Sequence, residues 1–215
     1  MTPAEARAIQ AHLRARVCLC NEHGPIRRIA GVDCGFEDGG RVTRAAVSVF
    51  LYPELEPETT VIARRPTSFP YVPGLLSFRE APAILEALSR LATPPDLLLV
   101  DGQGIAHPRR MGIATHLGIW LDMPTVGVGK SRLIGSARAP GLARGSAEPL
   151  LDGKERIGTV LRTRTGVKPL YVSPGHRVSH EGAVDWVMRT TTRYRLPEPV
   201  RKADRVASRQ RGGGK

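Results

Sequence analysis

Four consecutive apolar residues, Leu97-Leu98-Leu99-Val100, are closed by an acid, Asp101, and followed by the glycine-bearing stretch Gly102-Gln103-Gly104. A continuous apolar run of this length fits a parallel strand covered on both faces, because a half-solvated strand would alternate apolar and polar residues. Such a strand needs helices above and below it, which restricts the chain to α/β layer architectures. Asp101 then falls at the carboxyl end of the strand, where open α/β sheets bind ligands.

The flanking patterns extend this reading. Residues 4–19 place Ala8, Ile9, His12, Leu13 and Val17 at helical spacing, and residues 21–25 end the helix. Residues 28–36, 42–52 and 59–65 predict three strands joined by short turn-rich spacers, as in an antiparallel meander. A helix is expected over 75–91, the central strand over 96–100, a helix over 109–121 and a strand over 125–128. Two more strands (156–162, 170–173) and two helices (179–191, 199–210) follow, and residues 135–153, rich in Gly, Pro, Ala and Arg, read as a surface loop. The sum is one mixed sheet with helices on its faces, an α/β domain over residues 1–210, with 211–215 as a disordered tail.

With 215 residues, 41% of them hydrophobic, the chain can bury a substantial core. No apolar run reaches membrane-spanning length and no basic segment precedes an apolar stretch at the N-terminus, so a cytoplasmic protein without membrane attachment is expected. Cys18, Cys20 and Cys34 form no CxxC pair and have no histidines at finger spacing, which favours reduced structural or surface thiols over a disulfide framework or a zinc site. The net charge is +12; residues 201–215 carry six basic and one acidic residue, so the body is basic as well as the tail. A polyanionic partner suits this balance. Basicity alone does not decide the matter, since 27 of the 32 basic residues are Arg, a bias that genome base composition can produce.

Three acids stand where core residues are expected. Strand alternation puts Asp33 on the face of Ile29 and Gly31, Asp101 ends the apolar run, and Glu80 lies within roughly 40° of Leu76, Ile84 and Leu91 on a helical wheel. Taken singly, Asp101 could cap a turn, Asp33 could pair with an Arg, and Glu80 could favour a helix N-terminus. Together they would repel one another and shift their pKa values upward unless a cation neutralised them, and an all-oxygen donor set suits magnesium, with manganese as substitute. Gly129-Lys130-Ser131 lacks the upstream glycine of a P-loop, so Lys130 reads instead as a point charge for a phosphate. The loop from Asp101 to Gly112 offers backbone to a flat ligand or anion, and its His107 is a candidate proton shuttle or phosphate contact, or a loop histidine bonded to backbone. Pro70-Tyr71-Val72-Pro73 is a stiff turn whose Tyr71 either packs on the domain's own surface or acts as a wedge between bases.

The strings Ile29-Ala30-Gly31-Val32-Asp33, Pro70-Tyr71-Val72-Pro73-Gly74-Leu75-Leu76-Ser77-Phe78-Arg79-Glu80, Asp101-Gly102-Gln103-Gly104-Ile105-Ala106-His107-Pro108-Arg109, Pro124-Thr125-Val126-Gly127-Val128-Gly129-Lys130-Ser131, Ser173-Pro174-Gly175-His176-Arg177-Val178 and Arg195-Leu196-Pro197-Glu198-Pro199 closely resemble the endonuclease V family, in order along almost the whole chain. The resemblance implies a ribonuclease H-like fold. It also implies a magnesium-dependent DNA repair endonuclease that recognises deoxyinosine and hydrolyses the second phosphodiester bond on its 3′ side. By matching position, Asp33 and Asp101 would be metal ligands, Glu80 a further acid holding metal or water, Lys130 a contact to the scissile region, and Asp204 a fourth active-site residue. Pro70, Tyr71, Val72 and Pro73 would be the strand-separating wedge, and Leu76, Gly102, Gly112, Ile113 and Gly129 would surround the flipped hypoxanthine. Gly129 departs from the family pattern, which more often has alanine before the lysine. The alternatives are an inosine-specific endoribonuclease acting on RNA and a non-catalytic lesion-binding protein.

Overall fold

The computed structural model describes residues 1–208. Among the described residues eight strands join one sheet in the order β3-β2-β1-β4-β5-β8-β7-β6. The strands are β1 (Arg28–Glu37), β2 (Val42–Leu51), β3 (Glu56–Pro66), β4 (Leu97–Val100), β5 (Thr125–Gly129), β6 (Ala147–Asp152), β7 (Glu155–Leu161) and β8 (Leu170–His176). The meander β1–β3 is antiparallel as expected, and β4 runs parallel to both β1 and β5 at the centre. Every residue of β4 is buried, which is the two-faced burial that its unbroken apolar run demands.

Helices cover both faces. On one side α2 (Leu76–Ser89) and α3 (Ile113–Leu121) pack Ile84, Ala87 and Leu117 against Val32, Val47, Leu98 and Val100. On the other, α4 (His180–Arg189) and α5 (Glu198–Ala207) bring Val187 and Val200 against Ile29, Leu97, Leu99 and Val126. Alternate residues of β1 and β4 therefore feed opposite cores. Among the described residues no helix is long and apolar enough to cross a membrane.

Three elements depart most from the sequence expectations, and the end of a fourth lies outside the described residues. The first helix, α1 (Pro3–Leu13), opens with a capping box between Thr2 and Glu5 and ends earlier than residue 19, passing into a 3₁₀ turn over Arg14–Arg16. It stops because the following backbone is extended at Val17 and is then claimed by β8's end: Cys18 N–H donates to His176 Nδ1 and Arg177 N–H to the Cys18 carbonyl. Helix α3 starts at Ile113, not at 109, since Arg110 has a φ of 55°, outside the right-handed helical region. The stretch 135–153 is not all loop. Its last part is edge strand β6, where Pro149 is tolerated because an edge has one unpaired side. Finally, α5 is described only to its cap at Ser208, so the expected end at residue 210 and the 211–215 tail lie outside the described residues.

Candidate active site

Parallel pairing of β1 with β4 sets Val32 opposite Val100, so Asp33 and Asp101 follow side by side, and the Asp101 N–H donates to the Val32 carbonyl at 2.8 Å. The Asp33 face is that of Gly31 and Gly35. A Cβ at Gly31 would lie 2.0 Å from the Pro199 carbonyl and one at Gly35 2.3 Å from the Ala207 carbonyl, so the two glycines let α5 lie directly on β1. That close approach delivers Asp204. Carboxylate oxygens of Asp33, Asp101 and Asp204 lie within 4.8 Å of one another. Asp204, which the resemblance implied as a fourth active-site residue, is thus the third member of the cluster.

Glu80 is buried, 7% exposed, as its place beside the apolar stripe of α2 predicts, but it stands outside this group of three. It remains within electrostatic reach. Burial first, then Asp33 and Asp101, push its carboxyl up to about 8, against the opposing Arg79. Asp33 is likewise pushed up to about 8 by burial and by Asp101, and Asp101 is raised mainly by burial, with Lys130 opposing.

Lys130, at the end of β5, reaches into the cluster. Its Nζ donates to Asp204 Oδ1 and forms an ion pair with Asp101 Oδ2. Burial disfavours the ammonium charge, but the contacts to Asp101 and Asp204 outweigh it and hold the lysine pKa above its ordinary value. Asp101 Oδ2 is buried, and the Lys130 ammonium is the cation that faces it. Three converging, largely buried carboxylates that offer only oxygen donors, with a single lysine cation seated among them, fit a hard divalent cation.

Two residues beyond Asp101, Gln103 is a wall of a cavity of about 130 Å³. Of the residues expected around a base, Leu76, Gly112 and Ile113 line it; Gly102 and Gly129 do not. A Cβ at Gly102, whose φ is 149°, would meet Ile113 Cγ2 at 2.6 Å, and the space beside Gly129 is filled by the amide of Gln103. Tyr71, Val72 and Pro73 form the rim, and Tyr71 is 72% exposed, which excludes the reading in which it packs on the domain's own surface. Pro70 does not line the cavity but is exposed at the start of the same turn. Gln103, Ser77, Met111 and Leu133 also line it and were missed. Gln103 had a signal: it lies two residues beyond Asp101, so one short loop carries both an acid of the cluster and a wall of the cavity.

The rim is fixed through a single acceptor. The Gly74 carbonyl receives hydrogen bonds from Gln10 Nε2 (3.1 Å), His107 Nε2 (3.0 Å) and Arg109 Nη2 (2.7 Å). His107 Nδ1 accepts from the Arg109 N–H at 3.1 Å, which sets the tautomer with Nε2 as donor. Burial, then the Arg109 charge, lowers its pKa to about 4. With both ring nitrogens committed to backbone and 3% of the residue exposed, His107 pins the loop and has no nitrogen free to shuttle a proton. Behind the cavity, His116 Nδ1 is 2.9 Å from Ser77 Oγ, and its ring stacks on Trp120.

A mixed sheet with parallel central strands, helices on both faces and acids at adjacent strand ends places the protein among the ribonuclease H-like nucleases. Within that class the chain belongs to the endonuclease V family, whose model matches residues 11–205. It is 59% identical over 206 residues to the endonuclease V of Alkalilimnicola ehrlichii, covering 95% of this chain and 91% of the relative. The crystal structure of endonuclease V from Streptomyces avermitilis superposes with a TM-score of 0.91 at 46% identity, over 96% of this chain and 91% of that one. Endonuclease V of Ciona intestinalis, solved in complex with a 23mer DNA containing an inosine followed by a ribo-adenosine, is similar at a TM-score of 0.84 and 25% identity, over 96% of this chain and 97% of that one.

Proposed function

We propose that this endonuclease recognises deoxyinosine in DNA and hydrolyses the second phosphodiester bond on its 3′ side, with water as nucleophile. The observation that carries the reading is the short loop from Asp101 to Gln103, which joins the acid cluster to the cavity and so couples base capture to a fixed cutting distance. The Ciona complex with inosine-containing DNA supports it.

Tyr71, on its rigid turn, enters the stack as the base leaves it, and a mispaired or damaged base costs less to extrude than a normal one. The hypoxanthine enters the cavity beside Leu76, Gly112 and Ile113, where backbone groups read its edge while Gln10, His107 and Arg109 keep the rim in place. Asp33, Asp101 and Asp204 would hold magnesium, or manganese in its place, which when bound would supply Lewis-acid polarisation of the phosphate and a lowered pKa for nearby water. Glu80, a buried carboxyl raised towards neutrality, orients water or accepts its proton. Once its acidic partners are neutralised, Lys130 turns its charge to a phosphate oxygen.

The test is incubation with a duplex carrying one deoxyinosine, with and without magnesium, and mapping of the cut. A single nick at the second bond 3′ to the lesion, dependent on the metal, is expected. The ribo-adenosine in the Ciona ligand keeps inosine-containing RNA as a second reading. Matched DNA and RNA oligonucleotides separate the two, and a tenfold or greater preference for RNA would replace the first reading with the second.

A further inference from the structure

Cys18 and Cys20 lie on the segment between the 3₁₀ turn and β1, outside the acid cluster and the cavity. Their backbone is held firmly. Cys18 N–H donates to His176 Nδ1 at 3.2 Å, Arg177 N–H donates to the Cys18 carbonyl at 2.8 Å, and Glu22 N–H donates to the Cys20 carbonyl at 2.9 Å. So fixed, the two sulfurs sit 2.6 Å apart, about 0.5 Å beyond disulfide bond length. Cys20 is exposed and Cys18 half-buried, and the Glu22 carboxylate lies 3.2 Å from Cys20 Sγ. Residue spacing alone suggested reduced structural or surface thiols; the folded backbone makes Cys18 and Cys20 a pair.

We propose that Cys18 and Cys20 form a reversible dithiol–disulfide site whose reaction partner is a low-molecular-weight disulfide of the oxidised-glutathione type. Cys18 sulfur attacks one sulfur of the reagent, forming a mixed disulfide and expelling a thiolate that takes up the proton Cys18 has lost. Cys20 then attacks the Cys18 sulfur, closes the internal disulfide and expels the second thiolate, which takes the Cys20 proton. The protein loses two electrons and two protons, and the reagent is reduced to two thiols. The order follows from the surroundings: hydrogen bonds to Cys18 and Glu22 push the Cys20 thiol up to about 12, and the first of these weakens once Cys18 is engaged. A ring closed over three residues restrains little of the unfolded chain, so the bond is a labile, exchangeable one and not a structural brace.

The same three side chains could be read as ligands of a soft metal, since Cys18, Cys20 and Glu22 fall within 4.8 Å of one another. A tetrahedral ion would require a fourth donor and a wider sulfur separation than the observed contact, which is why the disulfide is favoured.

The experiment equilibrates the intact chain in mixtures of reduced and oxidised glutathione, quenches with acid, alkylates and digests with trypsin. Cleavage after Arg16 and Arg27 places both cysteines in one peptide. The expected result is that peptide unalkylated and two hydrogens lighter under oxidising mixtures, returning to the doubly alkylated form in excess reduced glutathione. In Cys20→Ser the same mixtures should yield a glutathione adduct at Cys18. Double alkylation at every ratio would overturn the proposal, as would a stable glutathione adduct in the parent chain. Protection of both thiols by one equivalent of zinc, with no disulfide formed at any ratio, would assign the cluster to metal and overturn it equally.

Discussion

The side-chain amide of Gln103 occupies the space that a methyl group at Gly129 would need: a Cβ there would lie 2.3 Å from Gln103 Nε2. That nitrogen donates to the Ser131 carbonyl at 2.9 Å, so strand β5, the lysine after it and the cavity wall are tied together. Because the obstacle is the end of a flexible side chain, Gly129→Ala should fold but displace the amide and break this hydrogen bond, costing roughly 1 kcal/mol. A small fall in melting temperature is expected, with a larger change in the ratio of deoxyinosine to undamaged-purine cleavage. An unaltered ratio would show that the Gln103 position has no part in base selection.

Asp33 destabilises the metal-free fold. Burial and Asp101 hold its carboxyl at about 8, whereas in an unfolded chain it is about 3.9. Between those values the folded state keeps a proton that the unfolded state has released, so stability declines as pH rises through the window and levels off above it. Asp33→Asn removes this dependence. In chelator, the variant should unfold at higher temperature than the parent at pH 8.5, with the gap closing towards pH 5, while nicking is lost throughout. Greater stability of the parent at pH 8.5 would contradict the assignment.

Metal binding should release protons for the same reason, since the raised carboxyls of Asp33 and Asp101 must ionise to act as ligands. Saturating manganese is therefore expected to raise the melting temperature more at pH 8.5 than at pH 6. At a concentration near a hundred times the dissociation constant the gain is about 2.7 kcal/mol. Asp101→Asn should lose most of it. A pH-independent shift in the parent protein would argue against ligation by these acids.

Asp33 and Asp101 were legible in sequence because the strand pattern gave one a face and the other an end, and Glu80 because the helical period set it beside the apolar stripe of α2: an unbroken apolar run needs two covered faces, and Asp101 terminates it. Asp204 was harder to place, since its position depends on how closely α5 approaches β1, and that distance is set by two glycines more than 160 residues upstream. Edge strand β6 was hidden for a related reason. A strand paired on one side and largely exposed carries no strong alternation, and its glycine- and proline-rich surroundings read as loop. His107 shows the reverse limit: residue type marked it as a chemical candidate, and only the three-donor arrangement at the Gly74 carbonyl revealed its holding role.

His116 contributes stability that acid removes. Burial lowers its pKa to about 4, below the unfolded value of about 6.5, so the unfolded state takes up a proton first as pH falls. The contribution is complete above pH 6.5 and is lost as pH drops through 4. His116→Asn, which also gives up the Trp120 stack, should cost roughly 0.5–3 kcal/mol at pH 7.5. Denaturant titrations of parent and variant should show that difference shrinking towards pH 4.5, whereas a constant difference would mean that the imidazole titrates normally.

Tyr71 separates function from folding most cleanly. It is exposed and outside the packed core, and among the described residues its hydroxyl and ring make no hydrogen bond or ring contact, so Tyr71→Ala should change the unfolding free energy by no more than about 0.5 kcal/mol. As a wedge, however, it would replace stacking lost when the base leaves the duplex, an interaction worth about 1–3 kcal/mol per base. Binding of a deoxyinosine duplex in calcium, at fixed salt, should weaken about tenfold, while the magnesium concentration for half-maximal nicking stays the same. Equal affinity in parent and variant would leave the turn without a role in strand separation, and a shifted metal requirement would tie Tyr71 to the acid cluster instead.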